Sequence, residues 1–192
     1  MSKTNAVVVK VLTFNANLNM NNPFALFDLA VDFNLDLNEL NNRYLALQKS
    51  LHPDNFAADS AQQQRLAMQK SAEINDALQL LKDPISRADS IIALHTGEQV
   101  DLEQKSSRDL SFLMQQMEWR ETLEQIEQQQ NEAELEQFSR QIQQTERAIL
   151  ADLAQSLNSQ DWAQAGQITD KLRFIKKLKV EIERVEDQLF AI

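Results

Sequence analysis

Only two glycines, Gly97 and Gly166, and three prolines, Pro23, Pro53 and Pro84, punctuate the 192 residues of this chain. Tight β-hairpin turns draw on residues that take left-handed backbone angles at little cost, glycine above all. So few of them predicts an all-helical fold. Leucine, glutamine, glutamate and alanine are abundant, and such straight or small side chains lose little rotamer freedom in a helix. With 43% hydrophobic and 25% charged residues, the chain has the balance of an ordinary soluble globular protein rather than a disordered or membrane one. The length allows one large domain or two small ones, and the pattern along it favours two small helical units.

A formal net charge of −10 argues against a nucleic-acid binder, whose affinity rests on a basic surface, and points to partner surfaces that are neutral or basic. The absence of cysteine removes disulfides, thiol catalysis and thiolate ligation of zinc or iron–sulfur clusters. Residues 6–14 (AVVVKVLTF) form an apolar run after Lys3, but Lys10 interrupts it, it lacks a small-residue cleavage site, and it is far shorter than the roughly 20 residues that span a bilayer. Residues 1–19 are therefore expected to be a disordered extension, with Met20 as an alternative start, and no membrane is expected as a partner. The lack of an arginine-rich leader favours a bacterial cytoplasm.

Asp36-Leu37-Asn38-Glu39 has the form of a capping box, in which an N-cap oxygen is answered three residues later by a glutamate reaching back. From there Leu37, Leu40, Tyr44, Leu47 and Leu51 recur at helical spacing as one buried stripe. Pro53 excludes the preceding residue from the α region and lacks a donor, so the helix must stop and His52-Pro53-Asp54 begins an exposed loop. A long helix from about Ser60 to Leu81 follows, with Ala67, Ser71, Ile74, Leu78 and Leu81 on one face, ready to pack antiparallel against the first stripe. Asp83-Pro84 reads as N-cap and first residue of a further helix to about His95. Upstream, residues 23–30 offer a short helix whose Phe24, Leu26, Phe27 and Leu29 cover the hairpin.

Gly97 marks the best boundary, followed by polar residues. We expect a first unit at 20–95, a linker at 96–104 and a second unit at 105–192. Three helices can be drawn in the second, at about 105–130, 132–157 and 160–190, with short turns near Asn131 and between Asn158 and Asp161. Leu135, Phe138, Ile142, Ile149 and Leu153 stripe the middle helix, and Ile168, Leu172, Ile175, Ile182, Val185 and Leu189 the last. Burying these stripes makes a small antiparallel three-helix bundle. In its first helix Phe112, Trp119, Leu123 and Ile126 form one stripe, which leaves Leu113, Met114 and Met117 on another face; Phe174 likewise stands off the main stripe of the last helix. Such a surplus of apolar width either widens the core or marks a partner site.

The order of short helix, capped amphipathic helix, His52-Pro53-Asp54, long helix and final helix, with Tyr44 eight residues before the histidine, resembles the J-domain of co-chaperones that serve DnaK-type ATPases. Apart from that context His52 would read as a plain loop histidine. A metal site is the poorer alternative, since His95 is the only other histidine and no cysteine exists; no nucleophile turn or glycine-rich phosphate loop is present. No catalytic residue, no metal ligand and no cofactor are assigned. The resemblance implies that the loop docks on the ATP-bound chaperone and accelerates hydrolysis there, the chain itself hydrolysing nothing. Asp54 would offer charge to a partner arginine, His52 a hydrogen-bonding edge and Pro53 a fixed backbone, with Arg43, Tyr44, Lys49 and Lys70 as further chaperone-binding candidates. General J-domains carry a denser basic run here, so a dedicated partner is implied.

Arg108-Asp109-Leu110-Ser111-Phe112-Leu113-Met114 and Lys171-Leu172-Arg173-Phe174 resemble the C-terminal bundle of the HscB family, the J-domain co-chaperones of iron–sulfur cluster assembly, and the whole resemblance covers residues 20–192. It implies that Leu113, Met114, Met117 and Phe174, rimmed by Glu118, Arg120 and Glu121, hold the scaffold protein IscU and deliver it to the chaperone HscA. Two other classes stay open. One is a general J-domain co-chaperone of DnaK acting on unfolded clients. The other is a purely structural helical protein that oligomerises through the stripe from Ile168 to Leu189.

Overall fold

The computed structural model of the chain describes residues 22–97 and 109–190. The expected extension at 1–19 and most of the expected linker lie outside them. Among the described residues the fold is all-α, with seven α-helices, one 3-10 turn and no strand. They are α1 (Pro23–Leu26), α2 (Leu37–Ser50), the 3-10 turn (Pro53–Phe56), α3 (Ala61–Lys82), α4 (Pro84–Thr96), α5 (Leu110–Gln129), α6 (Glu132–Asn158) and α7 (Trp162–Phe190). Two compact units divide between His95 and Thr96.

In the first unit, α3 packs against α1, α2 and the 3-10 turn. Ser60 and Gln63 close a reciprocal capping box that starts α3, and Asp83 accepts from the amides of Ile85 and Ser86 behind Pro84, as the sequence signals require. Leu40, Leu51, Ala67, Ile74, Leu78 and Leu81 are buried in the hairpin. Leu37 is not: it stands in the first turn of α2 and is 42% exposed, and Tyr44, Leu47 and Ser71 of the expected stripes are only half-buried. The Asp36 cap is also only half of a box. Its carboxylate accepts from the amides of Asn38 and Glu39, but the Glu39 side chain turns the other way and accepts from Arg43, because a guanidinium offers charge-assisted bonds that a lone amide cannot match.

The helix expected over 23–30 is a single turn. The Asn22 side chain caps it, and Asp28 ends it with a left-handed φ of 53°. Phe24 and Phe27 are fully or almost fully buried, whereas Leu26 is exposed and Leu29 half-buried, since one turn can direct only part of its side chains at α3. Burial of each phenylalanine contributes about 1.5–3 kcal/mol. Arg87 of α4 is buried with its guanidinium over the Phe33 ring at 5.2 Å, a polar member of this core that helical spacing did not announce.

The second unit is the expected bundle. Asp109 is the N-cap of α5, so that helix begins at Leu110 rather than near 105. Asn131 caps α6 and Asp161 accepts from the Gln164 amide at the start of α7. The two connections turn through left-handed Gln130 and Gln160. Phe112, Trp119, Leu123 and Ile126 of α5 join Leu135, Phe138 and Ile142 of α6 and Ile175, Leu178, Ile182 and Val185 of α7 in one buried cluster, with Ile149 and Leu189 only half-buried against it.

Candidate functional site

Two surfaces stand out, one in each unit. In the first, α2 ends at Ser50 because proline follows, and the chain crosses to α3 through the 3-10 turn. His52 and Asp54 are exposed, with side chains 61% and 89% accessible. Their backbone is nonetheless fixed from below. The Asn55 amide group donates to the carbonyls of Lys49 and Ser50 at 2.8 and 3.2 Å, satisfying two of the acceptors left open at the end of α2. Its own N–H donates to the His52 carbonyl at 2.9 Å. Phe56 is buried under the turn, and Gln64 of α3 donates to the carbonyls of Phe56 and Asp59 at 3.2 Å each.

Within the loop, His52 Nδ1 accepts from the Asp54 N–H at 3.3 Å and lies 3.4 Å from the Asp54 carboxylate. A neutral ring that accepts at Nδ1 carries its proton on Nε2 and so remains a donor there for a partner; only the protonated ring could pair with the carboxylate as an ion. The arrangement presents a donor edge and a negative charge side by side on a proline-stiffened turn.

The other chaperone-binding candidates are distributed differently from one another. Lys49 is exposed, one turn before the loop. Tyr44 donates to Asn75 Oδ1 at 3.0 Å, and Gln48 donates to the same atom at 2.6 Å, a polar clip between α2 and α3. Arg43 donates to the carbonyls of Phe27 and Asp28 and to the Glu39 carboxylate, which ties the end of α1 to α2. Lys70 pairs with Glu73 at 2.6 Å. Arg43 and Lys70 are thus held by partners inside the unit, while His52, Asp54 and Lys49 face solvent.

On α5, Leu113, Met114 and Met117 are 43%, 58% and 62% exposed. Leu110, at 69%, extends the same row. Spacings of three, four and seven residues put these four on an arc about 100° wide, opposite the buried stripe, and Glu121 continues it. Sequence reasoning passed over Leu110, although its spacing from Met114 and Met117 was the needed signal. Asn55, Phe56, Gln64 and Asn75 were also missed, and no periodic signal marks them.

Phe174 does not share that exposure. It is half-buried against the bundle core, stacked on Trp119 at 6.1 Å and edge-on to Phe112 at 5.8 Å. The expected patch therefore separates into an exposed aliphatic row and an aromatic cluster in which Phe174 packs on Phe112 and Trp119 of the opposite, buried face of α5. Arg120 lies over the outer face of that cluster, its guanidinium 5.4 Å from the Phe174 ring. Glu118 and Glu121 are exposed. At the start of α5, Lys171 donates to Asp109 at 2.7 Å, and the Ser111 hydroxyl donates to the same carboxylate; these bonds, with the Phe112 amide, hold the Asp109 carboxyl well below the usual carboxylate range. Among the described residues no cluster of acidic or histidine side chains is arranged to hold a metal, and no helix is long and apolar enough to cross a membrane.

Comparison with known proteins places both surfaces in context. Residues 108–183 match the family model described as the HSCB C-terminal oligomerisation domain. The chain is 64% identical over 168 residues to the co-chaperone protein HscB homolog of Pasteurella multocida, covering 88% of this chain and 98% of that one. Among solved structures it is similar to the chaperone HscB from Vibrio cholerae, with a TM-score of 0.82, 44% identity, and coverage of 88% of this chain and 99% of that one. The human co-chaperone protein HscB gives a TM-score of 0.79 at 25% identity, covering 88% of this chain and 82% of that one.

Proposed function

Because the chain belongs to the HscB family of co-chaperones, we propose that it binds the iron–sulfur scaffold protein IscU, delivers it to the DnaK-type chaperone HscA and stimulates that chaperone's ATPase, in a bacterial cytoplasm. The observation that carries this reading is the His52–Asp54 turn, which is exposed where a partner must reach it and braced by Asn55 and Gln64 where it must not move. Residues 20–95 act as the J-domain that engages the chaperone. Residues 105–192 act as the scaffold-binding bundle.

The division of labour follows from chemistry. Asp54 and the Nε2–H of His52 meet a complementary arginine and acceptor on the ATP-bound chaperone, with Lys49 adding attraction to an acidic groove. Arg43 and Tyr44 contribute by fixing α2 against its neighbours. The bond broken belongs to ATP held by the chaperone, so this chain is an adaptor rather than the hydrolase. At the other end, Leu113, Met114 and Met117 supply an apolar row whose thioether side chains adapt to a folded partner, and Glu118, Arg120 and Glu121 form its polar rim.

Steady-state ATP hydrolysis by HscA and by DnaK, each with this protein or its His52→Gln variant, with and without IscU, tests the proposal. Stimulation of HscA that grows with IscU and vanishes in the variant is expected. Stimulation of DnaK alone would overturn the iron–sulfur assignment in favour of a general J-domain protein, and no stimulation of either would remove the co-chaperone reading.

A further inference from the structure

A groove of about 420 Å³ runs along the seam of α5 and α7, beginning beside Arg120 and Phe174 and ending near Glu127 and Arg184. Leu123, Leu178 and Phe174 supply the apolar part of its lining. Its charges are not equivalent. At the far end Arg184 donates to both oxygens of Glu127 at 2.9 and 3.1 Å and pairs with Glu181 at 3.1 Å, so those three groups satisfy one another. This holds the Arg184 guanidinium even more firmly protonated than usual and lowers the Glu127 carboxyl. At the near end the Arg120 guanidinium lies over the Phe174 ring, and Lys177 is exposed; among the described residues neither forms an ion pair with an acidic side chain. Glu124 between them accepts from Gln128 on its own helix.

Resting on the proposed role of the bundle, we propose that this groove is a second part of the scaffold-binding surface, with Lys177 and Arg120 gripping a carboxylate of IscU whose apolar neighbour lies on Leu123, Leu178 and Phe174. Two features favour the scaffold over any other occupant. The groove opens at Arg120, the rim residue of the apolar row, so one partner seated on Met114 and Met117 reaches it without a gap. At its mouth two cations, Arg120 and Lys177, face one carboxylate, Glu124, whose bond is from the neutral Gln128 amide, so the charge left there is net positive although the chain as a whole carries −10, and it favours an acidic element. From Arg120 to Glu127 the seam is about 10 Å long at 1.5 Å per residue, room for two turns of helix or three extended residues.

The test is the affinity for purified IscU, by titration calorimetry of the full chain at two salt concentrations, with helicity and melting temperature as controls for folding. Lys177→Glu should weaken binding about tenfold and Lys177→Arg should restore it to within about twofold, while Glu124→Gln, which removes the competing carboxylate, should tighten it. The wild-type affinity should fall with salt more steeply than that of Lys177→Glu. Met117→Asp separates the two levels of the argument. If the wild type binds, Met117→Asp does not, and Lys177→Glu binds as the wild type does, the groove proposal is overturned and the scaffold site stands. If the wild type itself fails to bind IscU, the scaffold reading falls and the groove proposal with it.

Discussion

Replacing Asn55 with alanine isolates the brace beneath the exposed turn. The change removes two donated bonds, at 2.8 and 3.2 Å, to carbonyls at the end of α2. Asn55 is exposed and water can reach the helix end, so the loss of global stability should be small, about 0.5–1 kcal/mol. The effect on docking should be larger. Holding one residue's backbone in a single conformation costs about 1–2 kcal/mol, and in the proposed docking on the chaperone a turn released from α2 must meet that cost. Pro53 and the bond from the Asn55 N–H to the His52 carbonyl remain, so roughly one residue's worth of order is lost. With a factor of ten for every ~1.4 kcal/mol, the concentration that half-saturates the proposed stimulation of HscA should rise about 5- to 30-fold. Asn55→Asp keeps the shape but aims acceptors at acceptors, and should be worse. The assay is ATP turnover by HscA at increasing co-chaperone concentration, beside urea unfolding. A shift below twofold in Asn55→Ala, with the unfolding midpoint equally unmoved, would refute the idea that this side chain preorganises the turn.

Two further outcomes follow from the bundle. Trp119→Ala removes a buried indole stacked on Phe174 and edge-on to Phe112; it should cost about 3–5 kcal/mol in chemical denaturation, and scaffold affinity should fall with it because Phe174 loses its support. The Asp109 carboxyl is lowered by its bonds from Lys171, Ser111 and the Phe112 amide, so its stabilising contribution is complete above the ordinary carboxylate value of about 4 and drains away as pH falls from there towards the lowered folded value. Melting temperatures of wild type and Asp109→Asn should therefore differ by a constant amount from pH 7 to about 5 and converge in stronger acid. A difference that persists unchanged into strong acid would show that the ionised carboxylate is not what stabilises the start of α5.

Much of this architecture was legible because it depends on local chemistry. Proline at 53, glycine at 97 and the caps Asp36 and Asp83 set helix ends by backbone rules that need no knowledge of neighbours, whereas the caps Ser60 and Asn131 came from the structure. Periodic leucines and isoleucines gave the buried faces of α3, α6 and α7 for the same reason. Errors arose where two elements compete for one group. Glu39 serves Arg43 instead of its own cap, Leu37 sits beyond the reach of the packing partner, and the helix after Pro23 closes after one turn because Asp28 turns left-handed while Arg43 binds its carbonyl.

The sequence by itself determined that the chain is helical, where most of its helices stop, that His52-Pro53-Asp54 stands on a loop, and that α5 carries more apolar surface than one seam can bury. These follow from dihedral restrictions and spacing, which act within a few residues. Only the tertiary structure decided that Phe174 belongs to an aromatic cluster rather than to the exposed row, that Asn55 and Gln64 hold the turn, and that Arg184 neutralises Glu127 across the seam of α5 and α7. Each of these depends on how residues distant along the chain share space and charge, and helical spacing within a single segment carries no information about that.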